Sequence, residues 1–132
     1  MKVTVDTNVL LRAVLHDDTS QARAAEGVLR SASVVAFPLP CLCELVWVLG
    51  RSYRFKRDDI VRVVETLCSA PNVAMDGPAV AAGLAMLKAG GDFADGAIAY
   101  EGAWLGGETF VSFDKKAVTA IARQGQKARL LR

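Results

Sequence analysis

Apolar and polar positions along the chain switch between a short-strand pattern and a helical one, and the switching sets out an order of elements. Met1-Lys2-Val3-Thr4-Val5 reads as a short β-branched strand meant for burial. Val9 to Leu15 carries apolar residues at helical spacing, and a second helix fits Ser20 to Arg30 with Asp18 or Thr19 as its cap. Ser33 to Phe37 reads as a second strand, stopped by Pro38 and Pro40. The run Cys41 to Leu49 has its main apolar stripe at Leu42, Leu45, Val46 and Leu49, and Trp47 and Val48 make the reverse side apolar too. Such a helix reads as covered on both sides, leaving Glu44 as its lone charge, either buried or at a rim that reaches water.

Asp58 to Ser69 makes a further amphipathic helix ended by Pro71, and Asn72 to Met75 a short strand. Gly77-Pro78 opens an alanine-rich helix that closes at Gly90-Gly91. A helix beginning at Asp92 follows, with Gly96, Ala99 and Ala103 as a stripe of small residues and Phe93, Ala97, Tyr100 and Trp104 as a core side. Thr109 to Phe113 is a strand, Lys115 to Gln124 a helix, and Ala128 to Leu131 an edge strand. Strands alternating with helices call for an α/β fold, a largely parallel sheet with helices on both faces. No internal repeat interrupts the order.

The acids fall at particular places in this pattern. Asp6 and Asp114 each follow a strand directly, and the crevice beyond strand carboxyl ends is where open α/β sheets bind ligands. Asp92 and Asp95 sit three residues apart at a helix start, hence on one face. Helix capping accounts for a single acid at such places, since Asp is a favoured cap and negative charge suits the first turn. It accounts less well for two.

Composition narrows the class. The 132 residues are 52% apolar, sufficient for one domain with its own core. No apolar run approaches the roughly 18–20 residues of a membrane span, and Asp6 and Arg12 interrupt any secretory signal. Three cysteines without CxxC spacing and one histidine, His16, argue against a disulfide framework or a zinc site and suit a reducing cytoplasm. Net charge is only +2, yet Arg51, Arg54, Lys56 and Arg57 cluster, as do Lys115, Lys116, Arg123, Lys127, Arg129 and Arg132. Clustered cations on a nearly neutral chain suggest a local polyanion track, or else ordinary solvated helix faces.

If four acids met within about 5 Å, each like-charged pair would cost on the order of 3 kcal/mol at an effective dielectric near 20, and six pairs about 20 kcal/mol. No small domain has that stability to spare. Either some carboxylates hold protons or a hard divalent cation sits among them. All-oxygen ligands favour Mg²⁺ or Mn²⁺, whose natural chemistry is at phosphate.

Four blocks, Asp6-Thr7-Asn8-Val9-Leu10, Cys43-Glu44-Leu45-Val46-Trp47-Val48-Leu49, Asp92-Phe93-Ala94-Asp95-Gly96-Ala97-Ile98-Ala99 and Val111-Ser112-Phe113-Asp114, resemble in order and spacing the acidic blocks of the PIN domain. The nearest likeness is to VapC-type toxins of toxin–antitoxin pairs. The resemblance implies a single PIN-like domain over residues 1–132, an α/β/α sandwich with Mg²⁺- or Mn²⁺-dependent ribonuclease activity. It implies Asp6, Glu44, Asp95 and Asp114 as the catalytic quartet. Asp6 and Asp95 would be the direct metal ligands, with Glu44, Asp114 and an additional acid, Asp92, around them. Thr7 and Ser112 match supporting hydroxyls, and Lys115 and Lys116 are candidates for substrate phosphate contacts. Gly96 stands where alanine is commoner. Homodimer formation and inhibition by a cognate antitoxin, an arginine standing in for the cation, follow from the same likeness.

Other readings are weaker. A haloacid-dehalogenase-type phosphatase wants an acid where Asn8 stands, and a dinucleotide-binding fold wants glycines after the first strand. A PIN-like domain that binds RNA or protein without cutting, and a housekeeping RNA-processing nuclease, are the remaining alternatives.

Overall fold

The computed structural model describes all of residues 1–132 as two compact units, Met1–Asp76 and Gly77–Arg132. In the first unit, β1 (Lys2–Thr4), α1 (Thr7–Leu15), α2 (Thr19–Ser31), β2 (Val34–Ala36), α3 (Leu39–Arg51), α4 (Arg57–Cys68) and β3 (Val73–Ala74) follow one another. The strands form one parallel ladder in the order β1-β2-β3, with Val3 opposite Val35 and Val35 opposite Val73. The expected α/β class with parallel strands is what the chain forms.

Local chemistry explains the boundaries. Asp18 accepts a hydrogen bond from the Gln21 N–H at 3.0 Å and so starts α2. At the other end of α2, Asn72 reaches across from the approach to β3 and donates to the Leu29 and Ala32 carbonyls at 2.8 and 3.0 Å, satisfying groups the helix leaves unpaired. Pro38 ends the strand region, and α3 begins beside it with Pro40 in its first turn, where a missing N–H costs nothing. Leu10, Val35, Leu42, Leu45, Leu49 and Val64 are fully buried and form the heart of this unit.

Two expectations fail here. The first strand is less buried than its composition suggests: Lys2 and Thr4 are exposed and Val3 is only half-buried, because β1 lies at the edge of its ladder. Nor is α3 covered on both sides. It buries Cys41, Leu42, Leu45, Val46 and Leu49, while Trp47 is 58% exposed. α1 and α4 pack against it, and Trp47 on its other side stays open to solvent.

The second unit contains α5 (Gly77–Lys88), α6 (Phe93–Trp104), β4 (Thr109–Ser112), α7 (Lys115–Arg123) and β5 (Lys127–Leu130). β4 and β5 pair in parallel from Thr109 opposite Lys127 to Ser112 opposite Leu130. Their inward residues Phe110 and Ala128 pack on Met86, Ala99 and Ile121. The helices α5 and α6 approach unusually closely. A Cβ placed on Gly96 would lie 2.5 Å from the Ala82 carbonyl oxygen, and one on Gly83 would lie 2.7 Å from the buried Phe93 ring. The small-residue stripe therefore does bring two backbones together at Gly96, while Ala99 packs on Met86 and Ile121 and Ala103 is exposed. Trp104, expected in the core, is 81% exposed: it is the last residue of α6, and the chain turns away immediately through Leu105 and Gly106.

Candidate functional site

Parallel pairing sends the carboxyl ends of β1 and β2 to the same edge of their ladder. The Val5 N–H donates to the Ala36 carbonyl at 3.2 Å, and the Phe37 N–H donates to Ala74 at 2.9 Å. Asp6 leaves β1 at that edge, and the chain leaving β2 turns directly into α3, whose second turn carries Glu44. Asp6 is the N-cap of α1 and accepts from the Val9 N–H at 3.1 Å through Oδ1. Capping is therefore part of its work, and one carboxylate oxygen does it. Glu44 is exposed, and no charged residue in the protein is buried, so the rim reading of Glu44 replaces the buried one.

What connects these two acids is a residue that sequence reasoning passed over. Cys41 lies one helical turn before Glu44, and its side chain is hydrogen-bonded to that of Thr7, next to Asp6. Burial pushes the Cys41 thiol up; the Thr7 hydroxyl, donating to the sulfur, pulls it down; the nearby charges of Asp6 and Glu44 push it up again. The charges of two carboxylates 38 positions apart in the chain thus both act on the same thiol. The signal available in advance was the three-residue spacing of Cys41 and Glu44, which puts them on one helix face.

The second unit gathers three more acids. Asp92 is the N-cap of α6 and accepts from Ala94 N–H at 3.2 Å. Asp114 leaves β4, caps α7 and accepts from Lys116 and Ala117 N–H at 2.9 and 3.3 Å. Its own N–H donates to the Ser112 hydroxyl oxygen at 3.0 Å, so Ser112 holds the backbone at the point where the acid departs the strand. Asp95 lies in the first turn of α6 and caps nothing. Its carboxyl is raised above the ordinary range by burial first, then by the charges of Asp92 and Asp114. Gly96, the next residue, is where α6 presses against α5, so the close helix pair seats Asp95.

The predicted acids thus fall in two sets, Asp6 with Glu44 in the first unit and Asp92, Asp95 and Asp114 in the second. Nowhere are three or more His, Cys, Asp or Glu side chains grouped so that they could hold a metal ion as they stand. The donor chemistry does suit a hard divalent cation. All the acids offer carboxylate oxygens, and Asp95 carries the like-charge burden that such an ion relieves. Lys115 and Lys116 are exposed beside Asp114, and neither enters an ion pair. No helix is long and apolar enough to cross a membrane.

Among curated proteins the chain finds no match. A family model does match, over residues 3–123, which takes in Asp6, Glu44, Asp92, Asp95 and Asp114 and all but the first two and the last nine residues. By that match and by its parallel α/β architecture, the chain belongs to the PIN domain family.

Proposed function

We propose that this PIN-family chain is a Mg²⁺- or Mn²⁺-dependent ribonuclease that hydrolyses RNA phosphodiester bonds, acting as the toxin of a toxin–antitoxin pair. Membership of a family whose members are generally nucleases supports the reaction class. The observation that carries the reading is Asp95, a half-buried carboxyl crowded by two further acids, Asp92 and Asp114. Structural ion pairs hold acids against bases; here acid is held against acid, which suits a site made for a cation.

In this proposal residues 1–132 act as one domain and both sets of acids serve one reaction. Asp6 and Asp95 would hold the ion, with Asp92 and Asp114 as its further carboxylates. A divalent cation held there would supply polarisation of the phosphate and acidification of water, the chemistry this hydrolysis needs. Glu44, open to solvent, orients the attacking water and takes its proton on a carboxylate oxygen. The bond from phosphorus to the 3′ oxygen breaks, leaving 3′-hydroxyl and 5′-phosphate ends. Thr7 and Ser112 support Asp6 and Asp114, and Lys115 and Lys116 contact backbone phosphates. The proposal also includes a homodimer, a cytoplasmic location and a cognate antitoxin that places a cation, such as an arginine, against the acids.

The direct test is cleavage of a single-stranded RNA by purified protein in Mg²⁺ or Mn²⁺. Asp6→Asn and Asp95→Asn abolish cleavage while remaining folded, and induced expression of the wild type, but not of these variants, arrests growth. Full activity of either variant removes the mechanism. RNA binding without metal-stimulated cleavage by the wild type identifies the non-catalytic alternative instead. Cleavage without growth arrest favours an RNA-processing nuclease.

A further inference from the structure

Four residues of α3 are exposed, Pro40, Glu44, Trp47 and Arg51, and their spacing of four, three and four places them in one line along the helix. Trp47 lies one turn past Glu44 and is 58% exposed, although tryptophan is on average a well-covered residue. Arg51 lies one turn further on and ends the helix. The chain then folds back on the helix end. The Tyr53 N–H donates to the Val48 carbonyl at 3.3 Å and the Phe55 N–H to the Leu49 carbonyl at 2.9 Å, and half-buried Phe55 closes the turn. Arg54, between them, takes the left-handed backbone at φ 56°, which a non-glycine residue keeps only when its surroundings hold it there. Tyr53, Arg54 and Lys56 stay exposed on this turn. One cation suits the negative end of a helix, and Arg51 fills that role. The helix end does not account for Arg54 and Lys56, and none of the three cations enters an ion pair.

We propose that this line is the seat of a single-stranded RNA: an unpaired base stacks on Trp47, one turn from Glu44, and Arg51, Arg54 and Lys56 take the adjoining phosphates. As the seat of a substrate it rests on the proposed function, and it restricts that substrate to unpaired RNA, since a base inside a duplex has no free face to offer an aromatic ring. Charge decides the occupant. A polyanion with flat apolar faces matches both the cations and the indole. A second copy of the chain joined on this face about a two-fold axis would set the same three cations against themselves.

The experiment measures binding of a single-stranded RNA, and of its duplex, to the whole chain in metal-free buffer, and cleavage of the single strand in Mg²⁺. It compares wild type with Trp47→Ala, Trp47→Phe, Arg51→Gln and Trp104→Ala, all at exposed positions, with Tm as the check on folding. Trp104, 81% exposed at the end of α6, controls for the loss of any surface tryptophan. Trp47→Ala weakens single-strand binding about tenfold or more, the loss of one stacked base, while Trp47→Phe keeps most of the affinity and Trp104→Ala all of it. Arg51→Gln lowers the slope of log affinity against log salt by about 0.7, one phosphate contact on a single strand. In Mg²⁺, Trp47→Ala and Arg51→Gln raise KM and leave kcat near wild type, as expected when an interaction shared by ground and transition states is removed. Unchanged affinity and KM in Trp47→Ala, an equal loss in Trp104→Ala, or an equal loss on the duplex overturns the seat while wild-type cleavage stands. A Trp47→Ala that changes only the mass of the protein in solution overturns it too, in favour of an interface between copies. A wild type that binds RNA through Trp47 without metal-stimulated cleavage overturns the proposed hydrolysis and upholds the stripe as an RNA-binding surface.

Discussion

Adding one methyl group at Gly96 tests how the second unit seats its most perturbed acid. Alanine is the better helix former by about 1 kcal/mol, and Gly96 lies inside α6, so propensity alone favours Gly96→Ala. The surroundings oppose it. The new Cβ would meet the Ala82 carbonyl oxygen at 2.5 Å, the Ala82 carbonyl carbon at 3.0 Å and Met86 Cγ at 2.8 Å. Met86 can turn aside, but the Ala82 contact is backbone, so α5 and α6 must part by about 1 Å to reach an ordinary separation near 3.5 Å. Overpacking of this kind costs about 1–3 kcal/mol, which leaves Gly96→Ala neutral to about 2 kcal/mol less stable. Gly102, on the same helix, is the control, since a Cβ there would meet nothing within 4 Å. Gly102→Ala should gain up to about 1 kcal/mol. For a chain of this length about 1 kcal/mol corresponds to about 4 °C in Tm, so the two variants should separate clearly in thermal or urea denaturation. Because Asp95 precedes Gly96, RNA cleavage should fall in Gly96→Ala and hold in Gly102→Ala. Equal stabilisation by both alanines would refute the close-packing argument.

Acid titration offers a second check. Burial, Asp92 and Asp114 raise the Asp95 carboxyl above its ordinary value near 3.8, so the folded protein binds that proton more tightly than the unfolded chain. The sign follows: this contribution stabilises the metal-free protein at low pH and is lost as pH climbs from the ordinary value through the raised one. Asp95→Asn should therefore raise the neutral-pH Tm of metal-free protein and flatten that part of the stability profile; a lower Tm would contradict it. Asp18 provides the contrasting case of an acid with a capping role alone. Asp18→Ala should cost about 1 kcal/mol in urea denaturation and leave cleavage rates untouched, and a large loss of activity would show that the two kinds of acid are misassigned.

Much of this protein was legible in one dimension. Strand and helix periodicities, Pro38 and Pro40 between β2 and α3, and acids at Asp6 and Asp114 directly after strands follow from local stereochemistry and capping, which act over a few residues. The PIN likeness was readable for the same reason: acids recur at set places in a repeating strand-to-helix pattern. Trp47 was misread, and the choice between a buried and a rim Glu44 stayed open, because an apolar surface on every side of a helix does not say which side another element will cover. Trp104 was misplaced because periodicity continues to the final residue of a helix, whereas burial stops where the neighbouring structure stops.

Tertiary structure alone decided that Cys41 and Thr7 would meet, and that Asp95 would be crowded by Asp92 and Asp114. It also decided that Gly96 would touch the Ala82 backbone. Each of these contacts joins residues on different elements. A chain specifies its own turns and caps through neighbours within a few bonds, but the distance between two elements is set by how side chains from both fill the space between them.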